Sequence, residues 1–134
     1  MIAQKLLSCL KEKISRFGII EGMPPEPIAI IPSVGPVVGP VLIYSHGDEL
    51  VCIIKGITHA HFSSHNETLT EEEHLTIIIE TIVDFLENLV QDKILLWKTL
   101  DNRMNGWIIL HTGEIPTLVK EREYYVWSGP YVSK

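Results

Sequence analysis

The stretch that decides the fold is residues 70–91, TEEEHLTIIIETIVDFLENLVQ. Its apolar residues recur at the three- and four-residue spacing of one helix face, which predicts a long amphipathic helix. Thr70 precedes Glu73 by three residues, the spacing of a capping box, in which each side chain accepts a hydrogen bond from the other residue's backbone N–H. Three successive isoleucines are poor helix formers, because branching at Cβ restricts their rotamers. The helix therefore depends on burial against the rest of the domain.

The same stretch carries an acidic strip on a second side of the helix, made of Glu80, Asp84 and Glu87. This strip either pairs with the basic residues of the first helix or faces a basic partner, so its three residues are candidate partner-binding residues. Tyr124 and Trp127 join them as candidates, because exposed tryptophan and tyrosine side chains are typical of docking surfaces.

The rest of the chain is predicted to place one helix and a run of strands before this helix and a second run of strands after it. Residues 2–17 are predicted to form an amphipathic helix with Gly18 as its C-terminal cap. Apolar segments with strand character are residues 28–31, 37–44, 50–62, 94–100, 107–111 and 124–127. Pro36 and Pro40 cannot donate to a strand ladder, so we expect residues 37–44 to form an edge or bulged strand. Residues 118–123 fit a short helix or an extended segment.

Runs of strands joined by short turns favour the α+β class over the α/β class. We predict an antiparallel sheet of about five to six strands with the two amphipathic helices on one face, in the order α-β-β-β-α-β-β, with an additional last strand as an option. The order of elements, together with the size and acidity, resembles the small chaperones of type III secretion. That resemblance implies a protein that acts by binding another protein.

Length and charge narrow the classes of function. With 134 residues, of which 46% are hydrophobic, the chain is expected to form a single domain over residues 1–134. It has no apolar run of the roughly 18–20 residues that a membrane span needs, and no secretory signal pattern at its N-terminus, so we expect a cytoplasmic protein without a membrane partner. A net charge of −6 argues against nucleic-acid binding, for which the basic first helix is the remaining candidate surface.

Histidines concentrate in residues 58–65, THAHFSSH. His59 and His61 are two apart on a predicted strand and point the same way, so both imidazoles can converge on one ion, with His65 as a third ligand. The string resembles the HxHxDH motif of metallo-β-lactamases but departs from it, with Ser63 at the aspartate position and His65 one place late. These three histidines are the candidate metal ligands and zinc is the candidate cofactor; the rest of the sequence predicts none.

The function that these features favour is a small acidic cytosolic protein-binding module, comparable to an immunity protein or a secretion chaperone. Its partner is expected to be a protein, and a basic one fits the acidic strip. A homodimer through an uncovered sheet face is a further expectation. The alternative is a small metal-binding protein or metal-dependent enzyme that uses the histidine cluster. No catalytic motif is recognisable, so an enzyme is the less favoured reading.

Overall fold

The structure, a computed structural model, describes residues 2–46, 49–111 and 115–131. Two α-helices stand in this part of the chain, α1 (Ile2–Ile14), which continues as a short 3-10 helix (Ser15–Phe17), and α2 (Glu71–Val90). The strands are β1 (Ile20–Glu21), β2 (Ala29–Ile31), β3 (Val41–His46), β4 (Glu49–Ile54), β5 (Thr58–Phe62), β6 (Ile94–Thr99), β7 (Asn105–Ile109), β8 (Arg122–Val126) and β9 (Gly129–Pro130). The predicted α+β class and the order of helices and strands are confirmed.

The central helix α2 begins with the predicted capping box. Thr70 Oγ1 accepts from the Glu73 backbone N–H at 3.2 Å, and the Thr70 backbone N–H donates to Glu73 Oε1 at 3.1 Å. The second of these bonds favours the ionised carboxylate and holds the pKa of Glu73 below its ordinary value. The N-terminal helix ends as predicted, because Gly18 takes a left-handed φ of 70° and donates to Ser15 O.

The first sheet is an antiparallel meander of five strands in the order β1-β2-β3-β4-β5. The single strand expected over residues 50–62 is instead a hairpin, with residues 55–57 as its turn and Gly56 at a φ of 81°. Ile54 and Thr58 pair across this turn, so the inward–outward alternation continues through it unchanged. This is why one pattern of alternation fits both the predicted strand and the real hairpin.

Pro36 and Pro40 do not interrupt a strand as expected. They lie in the loop that leads from β2 to β3, whereas β3 itself begins at Val41. Strand β3 is the middle strand of the meander, hydrogen-bonded on both sides, so the expectation of an edge or bulged strand is wrong. The prolines, which have no backbone N–H to donate, lie in this loop. Strand β3 therefore contains no proline and can form hydrogen bonds along both of its edges.

The second sheet has four strands in the order β7-β6-β8-β9, so the strands divide between two sheets. Side chains join the sheets where β5 and β7 approach each other. Thr58 Oγ1 donates to Asn105 Oδ1 at 2.8 Å. Phe85 of α2 lies between Phe62 and Trp107, with ring centroids 5.4 Å and 4.8 Å away. The contact between sheets is therefore made by aromatic packing on α2 and not by a continuous backbone ladder.

One hydrophobic core unites both helices with the inward faces of both sheets. Leu6 and Leu10 of α1, Ile82 and Leu86 of α2, and Ile43 of β3 are fully buried in it. The two helices therefore cover one face of the five-stranded sheet and leave its other face outside the core. Neither helix in the described ranges is long and apolar enough to cross a membrane.

Candidate functional site

The face of the five-stranded sheet that points away from the helices is the most distinctive surface of the molecule. We call it the open sheet face. Strand register places its side chains in rows that run across the strands. The first row is Ile20, Ile30, Leu42, Ile53 and His59, and the second is Tyr44, Val51 and His61. Glu49 lies beyond the second row, on the same face as Val51.

The six apolar residues of the open sheet face lie outside the core. Among the described residues, none of them belongs to the core cluster or packs against it. Ile20 is 53% exposed, and the others keep an intermediate exposure. The opposite positions of the same strands, such as Leu50 and Cys52, are fully buried. The sheet is thus apolar on both faces but covered on one, and contiguous exposed apolar area of this kind marks interaction surfaces.

The histidines sit at one side of the open sheet face. The rings of His59 and His61 meet edge to face with centroids 5.2 Å apart. His61 Nδ1 contacts Glu49 Oε1, which joins β5 to β4 through side chains. His65 lies beyond the strand, where its Nε2 is 3.0 Å from Ser63 Oγ. In residues 2–46, 49–111 and 115–131, no group of three or more His, Cys, Asp or Glu side chains is arranged to hold a metal ion.

The acidic strip lies on the outer side of α2, where Glu80 and Asp84 are exposed and Glu87 is half-buried. Within the part of the chain that the structure describes, none of the three forms an ion pair. The basic residues of α1 turn to other partners. Lys5 Nζ lies 3.9 Å from Glu72 Oε1, and Lys11 pairs with Glu21 of β1. The charges of the strip are therefore not neutralised by ion pairs within the described residues.

Trp127 cannot belong to a docking surface, because it is only 1% exposed. Its ring packs on the loop of residues 32–40, so closely that a Cβ added at Gly39 would lie 3.0 Å from it. Tyr124 is half-buried, and its hydroxyl accepts from the Val119 backbone N–H at 2.8 Å. The expected exposed patch around Trp127 is therefore wrong. The indole packs against a loop more than 80 residues earlier in the chain, and a contact between such distant segments cannot be predicted from a local sequence pattern.

The sequence predicted an uncovered sheet face but not which apolar residues form it. The signal was present in β4, where Val51 and Ile53 alternate with the buried Leu50, Cys52 and Ile54. A strand that is apolar on both faces is normally covered on both. Only the tertiary structure shows which of the two faces of β4 the helices cover. No protein-family model, curated protein or solved structure matches this chain.

Proposed function

We propose that this chain is a small protein-binding module that acts in the cytoplasm through a protein partner, and that the partner docks on the open sheet face. The observation that supports this is the continuous row of Ile20, Ile30, Leu42 and Ile53 outside the core. Leaving such a row in water forgoes about 25 cal/mol per Å² of apolar area, which a partner would recover. The role is comparable to that of an immunity protein or a secretion chaperone.

The acidic strip supplies a second, electrostatic element of the proposal. Glu80, Asp84 and Glu87 point away from the core on α2, whereas the open sheet face lies on the other side of the sheet. The strip favours a basic protein on its own side of the sheet and raises the rate of encounter there, whereas the apolar row supplies affinity on the open sheet face. Because the strip is exposed, its contribution should fall steeply as salt is added.

The experiment compares affinity capture by the tagged chain and by two matched variants in the cells that produce it. Ile53→Glu places a charge in the middle of the open sheet face. Ile115→Glu places the same charge on a side chain that is 77% exposed and lies elsewhere in the chain. We expect a partner that is retained by Ile115→Glu and lost by Ile53→Glu, with unchanged circular dichroism for both. Equal capture by both variants would refute docking on this face.

The second candidate is a metal-binding protein. The observation that favours it is the close approach of His59 and His61, with Glu49 in contact with His61. Imidazole nitrogens suit zinc, and these two histidines supply two of the four ligands that it usually takes; His65, the third predicted ligand, lies beyond the strand. Calorimetric titration of the tag-free protein with zinc tests it, with the His59→Ala/His61→Ala double variant as control. Absence of binding at micromolar zinc would refute a metal-binding function. Binding that persists in the double variant would show that the metal binds at other residues.

A further inference from the structure

The charges on the open sheet face have an order that suits one particular occupant. Along β4 this face presents Glu49, Val51 and Ile53 at alternate positions. Lys55 is the next position of that alternation. Its backbone N–H donates to Pro40 O at 3.1 Å, which extends the β3–β4 ladder one residue beyond Ile54. Strand β4 and the first residue after it thus present an acidic, two apolar and a basic residue in turn along this face.

We infer that the occupant of the open sheet face is a second copy of this chain. The two copies stack face to face with their β4 strands antiparallel, related by a twofold axis that runs across the strands. In this arrangement Glu49 of each copy lies over Lys55 of the other, and Val51 lies over Ile53. A twofold axis along the strands would instead set Glu49 over Glu49 and Lys55 over Lys55. The charge pattern therefore selects the first arrangement. This inference rests on the proposed docking at the open sheet face and names the occupant of that face; the basic protein proposed for the acidic strip is a separate partner on the other side of the sheet.

Long-range charge favours the same face. Each copy carries a net charge of −6, so two copies repel each other on average. The outer side of α2 makes this repulsion worse, because it presents Glu80 and Asp84 without a basic residue in the helix. On the open sheet face, Glu49 and Lys55 cancel. Among the described residues, Glu49 and Lys55 carry opposite charges on this face, so two copies meet there without the like-charge contact that the acidic strip on α2 would make.

The size of the face sets the strength of the association. The five strands lie about 4.8 Å apart; β3, β4 and β5 are five to six residues long, but β1 has two residues and β2 three, so the face covers roughly 350 Å² per copy. A total of about 700 Å² is well below the roughly 1,200 Å² at which standard specific interfaces begin, in the class of weak, transient complexes. We therefore expect a monomer–dimer equilibrium that moves with concentration over roughly 10–500 µM chain.

Sedimentation equilibrium of the purified chain over that range tests the inference, with light scattering as a second readout of mass. We expect the average mass to rise toward twice the monomer value as concentration rises. Ile53→Glu should weaken the dimer about tenfold or more, because it buries a charge at the centre of the interface. Ile115→Glu should leave the dissociation constant unchanged. A wild-type chain that stays monomeric at 500 µM would overturn the inference.

A charge-exchange cycle tests the arrangement itself. Lys55→Glu and Glu49→Lys should each weaken the dimer several-fold, because each sets like charges over one another, and the double variant should restore most of the loss. Glu80→Lys, an equal change of charge on α2, serves as the control and should strengthen the dimer slightly or not at all. Additive losses in the double variant would overturn the antiparallel stacking of β4.

The outcomes separate this inference from the function on which it rests. A chain that is monomeric at all concentrations, yet captures a different protein through Ile53, overturns self-association and supports protein binding at the open sheet face. A chain that is monomeric and whose capture is indifferent to Ile53→Glu overturns both.

Discussion

At the scale of single residues, the two cysteines are in different environments. Cys9 is half-buried on α1, whereas Cys52 is fully buried on the inward face of β4. Burial disfavours the charged thiolate and raises the pKa of Cys52 from an ordinary value of 9.0 to about 12. The thiolate is the reactive form, so we expect one thiol to react with Ellman's reagent at pH 8 in the folded protein and both to react in denaturant.

The Cys9→Ser variant is the control, and a fast-reacting thiol in that variant would contradict the burial of Cys52.

The raised pKa of Cys52 also has a consequence for the stability of the fold. The unfolded thiol loses its proton above pH 9, whereas the folded thiol keeps it up to about pH 12. The contribution of the neutral Cys52 is therefore complete below pH 9 and is lost as the pH rises toward 12.

Gly106 is fixed by the tryptophan opposite to it. In the β6–β7 pair it faces Trp97, whose ring covers the glycine so closely that an added Cβ would lie 2.8 Å from the indole. Arg122 stacks on the same ring with its guanidinium carbon 3.7 Å from the centroid, so the indole has little freedom to move away. Gly106→Ala should therefore destabilise the fold by about 1–3 kcal/mol in urea unfolding.

The cause is tested by repeating Gly106→Ala in a Trp97→Leu background. Without the large ring, the added methyl should cost less than about 0.5 kcal/mol, since alanine is otherwise acceptable in a strand. An equal cost in both backgrounds would show that the backbone of Gly106, and not Trp97, sets the constraint.

At the scale of elements, the capping box makes the start of α2 a distinct unit of stability. Thr70→Ala removes the acceptor for the Glu73 backbone N–H and should cost about 1 kcal/mol of unfolding free energy. Thr76→Ala is the matched control on the same helix. Thr76 is exposed, and its hydroxyl donates to the backbone Glu72 O of the same helix at 3.0 Å. Removing this hydroxyl should therefore leave the free energy of unfolding nearly unchanged. Equal costs for the two variants would contradict a role for the box.

The box also gives α2 a dependence on pH. The pKa of Glu73 is lowered in the folded state, so the contribution of its carboxylate is present above its ordinary pKa of 4.5 and is lost as the pH falls below that value. The difference in stability between Glu73→Gln and the wild type should therefore shrink on acidification. A difference that stays constant from pH 7 to pH 3 would show that Glu73 has no part in it.

At the scale of the whole molecule, the C-terminal segment holds the second sheet against the first part of the chain. Trp127 packs on the loop before β3, and Ser128 donates through its backbone N–H and its hydroxyl to Asp92, at 2.9 Å and 2.6 Å. Trp127→Ala should cost about 3–5 kcal/mol, because it leaves a large cavity between these distant segments. Chemical unfolding followed by circular dichroism measures it.

Trp127→Phe separates packing from hydrogen bonding. Trp127 Nε1 is buried without a hydrogen-bond partner among the described residues. Replacing the indole by a phenyl ring removes this unsatisfied donor and keeps most of the apolar contact, so the net cost should be about 1–2 kcal/mol at most. A phenylalanine variant as unstable as the alanine variant would show that the indole N–H makes a hydrogen bond.

The sequence by itself determined the features whose causes lie within a few residues of one another. The capping box of α2, the cap at Gly18 and the division of residues 50–54 into two alternating faces follow from local hydrogen bonds and from the periods of helix and strand. The turn at Gly56 was missed because a three-residue turn leaves the phase of the alternation unchanged.

Only the tertiary structure decided the features that depend on which segments meet. The division into two sheets depends on where β6 and β7 dock, and the burial of Trp127 depends on the distant loop of residues 32–40. Likewise, both faces of β4 are apolar in the sequence, and the packing of the helices determines which face enters the core. The open sheet face exists because two helices are enough to cover one side of a five-stranded sheet and not both.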